Sequence, residues 1–158
     1  GDLVINQNAA IMMHLAERFP EAHLFGEGTS QERVETMRWL MFGCADMHAA
    51  FAPLNTVMKV PTLAEAYEQP ILMARMRLRK MFEIADDRLQ HRNWLTGSRT
   101  VADAYLYVMM FWALIHRVDI DDLDNLSAFR LRMDQDHGVQ EALRAEGLLP
   151  VSVAGAAA

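Results

Sequence analysis

Residues 100–115 read TVADAYLYVMMFWALI, a capping signal followed by an almost uncharged run. Thr100 and Asp103 have the spacing of a helix-capping box. The Thr100 hydroxyl is expected to accept from the Asp103 N–H, and the Asp103 carboxylate from the Thr100 N–H. The helix that follows is mostly apolar, so the pair should be buried. That makes it structural, and Asp103 is not the candidate catalytic acid. The run at 106–115 has the length of a core helix and is too short to span a bilayer. Such a helix needs other elements to cover it.

The rest of the chain offers helices. Only 8 Gly and 5 Pro occur in 158 residues, and long amphipathic stretches dominate, so the pattern is all-α. A first helix is expected over 9–19, capped by Asn8 and stopped by Pro20, with Ile11, Leu15 and Phe19 as its buried stripe. TSQE at 29–32 repeats the capping-box pattern and opens a helix expected to reach Phe51, with Pro53 ending it. Its apolar stripe is Val34, Met37, Met41, Cys44, His48 and Phe51. A helix over 71–91 should turn Ile71, Ala74, Leu78, Phe82, Ala85 and Leu89 inward. The helix after Thr100 should do the same with Val101, Tyr105, Val108, Trp112 and Ile115. Shorter helices are expected over 126–133 and 139–146, the last closed by Gly147. LVI at 3–5 is the one β-branched cluster, too short to make a sheet alone. The tail VSVAGAAA has too little bulk to pack and is expected to be flexible.

A net charge of −6 argues against a nucleic-acid surface, and the basic run RMRLRK at 75–80 reads as a solvated helix face. The single cysteine, Cys44, excludes a disulfide and suits a reducing, cytoplasmic setting. No signal peptide or membrane span is visible. The start at Gly1 is read as an artificial boundary or the edge of a larger protein. The 6 histidines show no metal-ligand spacing, so no metal is expected. GEG at 26–28 is too short for a phosphate loop. Cys44, mid-helix on the apolar stripe, reads as structural. His48 is open to two readings. It can be a satisfied core or groove-lining histidine. It can also be functional, because Ala45, Ala49 and Ala50 beside it leave room for a ligand or another domain.

Several separated segments resemble the helical C-terminal domain of a glutathione S-transferase, closest to the bacterial beta class. NQNAAIMMHLAERFPE is similar to the family's junction between its thioredoxin-like and helical domains. ERVETMRWLMFGCADMHAAFAPL resembles the first long helix of the helical domain, and WLTGSRTVADAYLY the shared Gly-x-x-Thr-x-x-Asp cap. VQEALRAEGL matches the usual ending. The resemblance implies a helical bundle over 9–149, a remnant of the last strand of the thioredoxin-like domain within 1–8, and a flexible tail at 150–158. It implies glutathione as co-substrate, held by Gln7 and Asn8 at its γ-glutamyl end and by Ala45, Met47 and His48 near the sulfur. His48 is then the catalytic candidate. Met41, Phe51 and Trp112 are implied as walls of the pocket for a hydrophobic electrophile. A homodimer serving detoxification is implied too. On this reading the residue that activates glutathione lies in an absent domain, and the chain alone is inactive. Asn8 stands where the family prefers Ser, and Arg99 where the cap usually has an apolar residue. A non-catalytic helical docking module of the same fold is the alternative.

Overall fold

A computed structural model describes residues 4–148; Leu3 and the 150–158 tail lie outside the described residues. The described residues are all-helical, with α1 (Asn8–Arg18), α2 (Ser30–Met41), α3 (His48–Ala50), α4 (Ala52–Lys59), α5 (Glu68–Leu89), α6 (Val101–Ile115), α7 (Asp124–Asp134) and α8 (His137–Ala145). The expected strand remnant is not seen: Val4 and Ile5 take no strand conformation, and no strand occurs among the described residues. Two β-branched residues with no partner strand have nothing to pair with. Among the described residues no helix is long and apolar enough to cross a membrane.

The core gathers around α6. Its Leu106, Met109 and Ala113 are buried with Leu40 of α2, Leu78 and Phe82 of α5, and Leu126 and Phe129 of α7. Helix α5 packs on α7, and α2 packs on α6. The capping site at the start of α6 holds this arrangement. Asp103 is fully buried and accepts from the Thr100 N–H at 2.8 Å, the Thr100 hydroxyl at 3.1 Å and the Leu95 N–H at 2.9 Å. The carboxylate thus ties the 92–99 loop to the helix as well as capping it. Thr100 and Asp103 form the expected capping box, and the Asp103 N–H also lies 3.2 Å from the Thr100 carbonyl. Burial pushes the Asp103 carboxyl above its ordinary range, while the donors from Leu95 and Thr100 pull it back. Arg99 supplies no apolar staple; it pairs with Asp136, which caps α8 by accepting from the Val139 N–H at 3.1 Å.

The second capping box forms as expected, with Thr29 accepting from the Glu32 N–H at 3.1 Å and Glu32 from the Thr29 N–H at 3.3 Å. The helix it opens does not stay α-helical to Phe51. It passes through a π-helical segment, Phe42–Met47, before α3. The helix ends at Ala50 with Phe51 as its cap, close to the expected end, and Pro53 stands in the first turn of α4, where its missing N–H has no helical partner. Helix α1 starts one residue early, with Gln7 rather than Asn8 as the cap residue and no side-chain cap bond. Gly147 closes α8 at φ 70°, as expected.

The choice of buried face departs from the sequence expectation in three helices. On α1, Ile11, Leu15 and Phe19 are exposed, and Ala9, Met12, Met13 and Ala16 pack on the core instead. On α2 and its continuation the core face is Thr36, Trp39, Leu40, Gly43 and Met47, while Val34 is exposed. On α6, Val108 and Ile115 are exposed. Spacing identifies residues that share a face, but a helix with two apolar faces does not say which one its neighbours cover. The expected set on α5 holds, with Ala74, Leu78, Phe82, Ala85 and Leu89 buried and Ile71 partly so. The basic run is only partly a solvated face. Arg75 donates to the His116 carbonyl at 3.2 Å, and Arg79 pairs with Glu83 and Asp122 and donates to the Asp119 carbonyl at 3.0 Å. These two arginines stitch α5 to the connection after α6.

Candidate functional site

A cleft of about 610 Å³ opens where the start of α1, the 41–49 stretch and the second turn of α6 meet. Gln7, Asn8 and Ala9 line it from α1 and its cap; Met41, Cys44, Ala45, His48 and Ala49 line it from the 41–49 stretch; Tyr105 lines it from α6. Gln7, Asn8, Met41, Ala45 and His48 were singled out from sequence, and the fold brings all of them to this one cleft. Gln7 is held at φ 71°, a left-handed backbone that a side chain rarely adopts. That turn places Gln7 and Asn8 together at the mouth of α1.

Three expected site residues, Met47, Phe51 and Trp112, are not among those that line the cleft. Met47 is 1% exposed and belongs to the core. It lies one residue before His48, and its side of the helix is the one that packs into the core. Phe51 is fully buried and supports the site from behind, its ring edge-on to Trp112 at 5.5 Å. Trp112 is half-buried and stands edge-on to His48 at 4.7 Å between centroids. The Thr100–Asp103 pair lies in the core and holds the start of the helix that carries Tyr105.

His48 is half-buried, and its Nδ1 lies 2.8 Å from the Tyr105 hydroxyl, 57 residues away in sequence. Burial pushes the Tyr105 phenol up, so it keeps its proton at neutral pH, while Asn8 nearby acts in the opposite sense. Gly43 makes this approach possible. A Cβ there would stand 2.8 Å from Cδ1 of the Tyr105 ring, inside any tolerable contact. Cys44 sits in the cleft wall with its Sγ toward the Met41 carbonyl at 3.9 Å. Burial, with Asp46 adding, pushes its thiol up, which disfavours a reactive thiolate. Sequence reasoning placed Tyr105 on a buried stripe and missed its part in the site. The available signal was a hydroxyl on an otherwise apolar helix face, since a buried phenol needs a partner.

A second hollow of about 340 Å³ lies at the far end of α6, lined by Arg117, Asp119, Asp121 and Arg130 among others. It contains none of the expected site residues. Among the described residues no group of three or more His, Cys, Asp or Glu could hold a metal ion.

Comparison with known proteins bears directly on this cleft. No family model matches the chain. Glutathione S-transferase GST-4.5 of Xanthomonas campestris pv. campestris is 41% identical over 148 residues, covering 91% of this chain and 71% of that protein. A solved glutathione S-transferase from Xylella fastidiosa is 41% identical with a TM-score of 0.87, covering 94% of this chain and 73% of that one. A bacterial beta-class glutathione S-transferase of Sphingomonas chungbukensis is 29% identical with a TM-score of 0.80, covering 92% and 69%. The helical architecture and the identity agree on a class: a transferase fold whose helices border a cleft at α1. The chain belongs to the glutathione S-transferase family. Its relatives are transferases, which gives the docking-module alternative no support.

Proposed function

We propose that the cleft at α1 is the helical side of a glutathione site, and that the protein transfers glutathione to a hydrophobic electrophile. The observation that carries this reading is the convergence of Gln7, Asn8, Ala45 and His48 on one open cleft. Gln7 and Asn8 offer amide donors and acceptors suited to the γ-glutamyl end of glutathione. Gln7's left-handed backbone also supports a site, because such conformations persist where the surroundings impose them. His48 stands near the glutathione sulfur and offers an imidazole N–H to it. Met41 gives an apolar electrophile a surface, and Trp112 supports the site from behind His48.

The chemistry is a nucleophilic displacement or addition. Free glutathione's thiol titrates at about 8.5, and the thiolate is the attacking species. The sulfur forms a bond to the electrophilic carbon, the leaving group departs with its electron pair, and the thiol proton passes to solvent. Each tenfold gain in thiolate requires about 1.4 kcal/mol of stabilisation, more than a single hydrogen bond of about 0.5–1.5 kcal/mol reliably supplies. His48 is therefore one contributor, and residues 4–148 taken alone are expected to show little transfer. A two-fold homodimer in the cytoplasm, acting in detoxification, completes the reading.

The test is turnover of a chloronitrobenzene electrophile by the protein as its gene encodes it, with and without His48→Ala. The expected result is a loss of about tenfold in kcat/KM together with a fall of a few degrees in melting temperature, because the Tyr105 phenol loses its Nδ1 partner. Unchanged turnover with a lowered melting temperature would make His48 a packing residue.

A further inference from the structure

The same cleft holds an arrangement that the glutathione reading does not require. We infer that Tyr105 is the positioning residue for His48: its phenol O–H donates to Nδ1 and so fixes the imidazole proton on Nε2. Tyr105 is 5% exposed and its oxygen is 2.8 Å from His48 Nδ1. Either group can donate in such a pair, and the surroundings decide which. If Nδ1–H donated, the phenol's own proton would be left in a buried position. An unpaired buried donor is strongly disfavoured. In the opposite arrangement the phenol proton is satisfied by Nδ1. The proton left on Nε2 belongs to a ring that lines an open cleft, where solvent or a ligand can accept it.

The backbone is shaped to hold this pair. In the π-helical segment the His48 N–H bonds to the Gly43 carbonyl, so the turn that closes on His48 opens at Gly43. Gly43 is also where the Tyr105 ring rests, in space a Cβ would occupy. One residue thus fixes the backbone of His48 and admits the ring that bonds its side chain. Trp112, edge-on to the imidazole at 4.7 Å, limits its rotation from another direction.

The inference rests on the proposed role of His48 only for its catalytic meaning, and its test is separate. Long-range nitrogen–proton NMR of the imidazole in the protein at a pH where His48 is neutral reads the tautomer directly. The parent is expected to show the Nε2–H form. Tyr105→Phe should convert His48 to a mixture or to the Nδ1–H form while the other histidines keep their signals. Gly43→Ala should do the same by displacing the ring, and Tyr105→Phe carries the test if that variant folds poorly. A parent in the Nδ1–H form, or a Tyr105→Phe tautomer identical to the parent's, overturns the inference. In the protein as its gene encodes it, Tyr105→Phe should lower kcat/KM by about two- to tenfold, the scale of one hydrogen bond. Combined with His48→Ala it should add no further loss. Full additivity of the two losses also overturns the inference, whereas an inactive role for His48 overturns the glutathione reading and leaves the tautomer result to stand.

Discussion

His116 shows what a buried imidazole does when it faces protein on every side. It closes α6, its Nε2 donating to Asn55 Oδ1 at 2.9 Å and its ring lying against Phe51 at 5.6 Å. Burial, with the charge of Arg75 adding to it, holds its pKa below the ordinary 6.5. The unfolded chain therefore binds a proton that the folded chain resists, and stability rises with pH across that interval. The contribution of His116 is complete above about pH 6.5 and is lost as pH falls through the lower, folded-state value. Urea midpoints should accordingly drop between about pH 7 and pH 5, and His116→Gln should flatten that drop; equal slopes in both proteins would contradict the account. At this scale the sequence was informative wherever chemistry is local. His48 among alanines marked a residue with open space beside it, and the cleft is there. Its bond to Tyr105 was not legible, because 57 residues separate the two and only the packing of α6 on the 41–49 stretch joins them. Met47 was misplaced because proximity to His48 in sequence does not tell which side of the helix the core takes, and the core takes Met47.

Helix α6 depends on its first turn. Removing the Asp103 carboxylate strands the N–H groups of Leu95 and Thr100 in a buried place. Asp103→Ala is expected to cost about 3 kcal/mol or more, and Thr100→Ala about 1 kcal/mol, against less than about 0.5 kcal/mol for the exposed control Glu65→Ala. Urea melts measure all three, and an Asp103→Ala midpoint equal to the control's would refute the role given to the box. Gly43→Ala should also destabilise, by about 1–3 kcal/mol, since the new methyl overlaps the Tyr105 ring. Both capping boxes were legible because their partners are three residues apart and the signal is chemical. The π-helical segment was not, since its sequence FGCADM carries the same spacing as an α-helix. Gly43 within it meets the Tyr105 ring, and that contact is a tertiary fact.

The exposed apolar faces belong to the scale of the whole molecule. Ile11, Leu15 and Phe19 on α1 are exposed, as are Leu72, Met73 and Met76 on α5. Their periodicity announced a buried stripe on α1; the described residues leave that stripe open because nothing among them packs against it. Apolar surface of this kind seeks cover. Sedimentation at rising concentration should therefore reveal self-association, and a strictly monomeric species throughout would contradict it. The central claim concerns where glutathione binds, and amide shifts recorded while glutathione is titrated into the protein as its gene encodes it test that most directly. Saturable changes at Gln7, Asn8, Ala45, His48 and Tyr105, with none at Arg117 or Arg130 beside the second hollow, are the predicted result; saturable changes confined to that second hollow, or none at the cleft, would contradict the account.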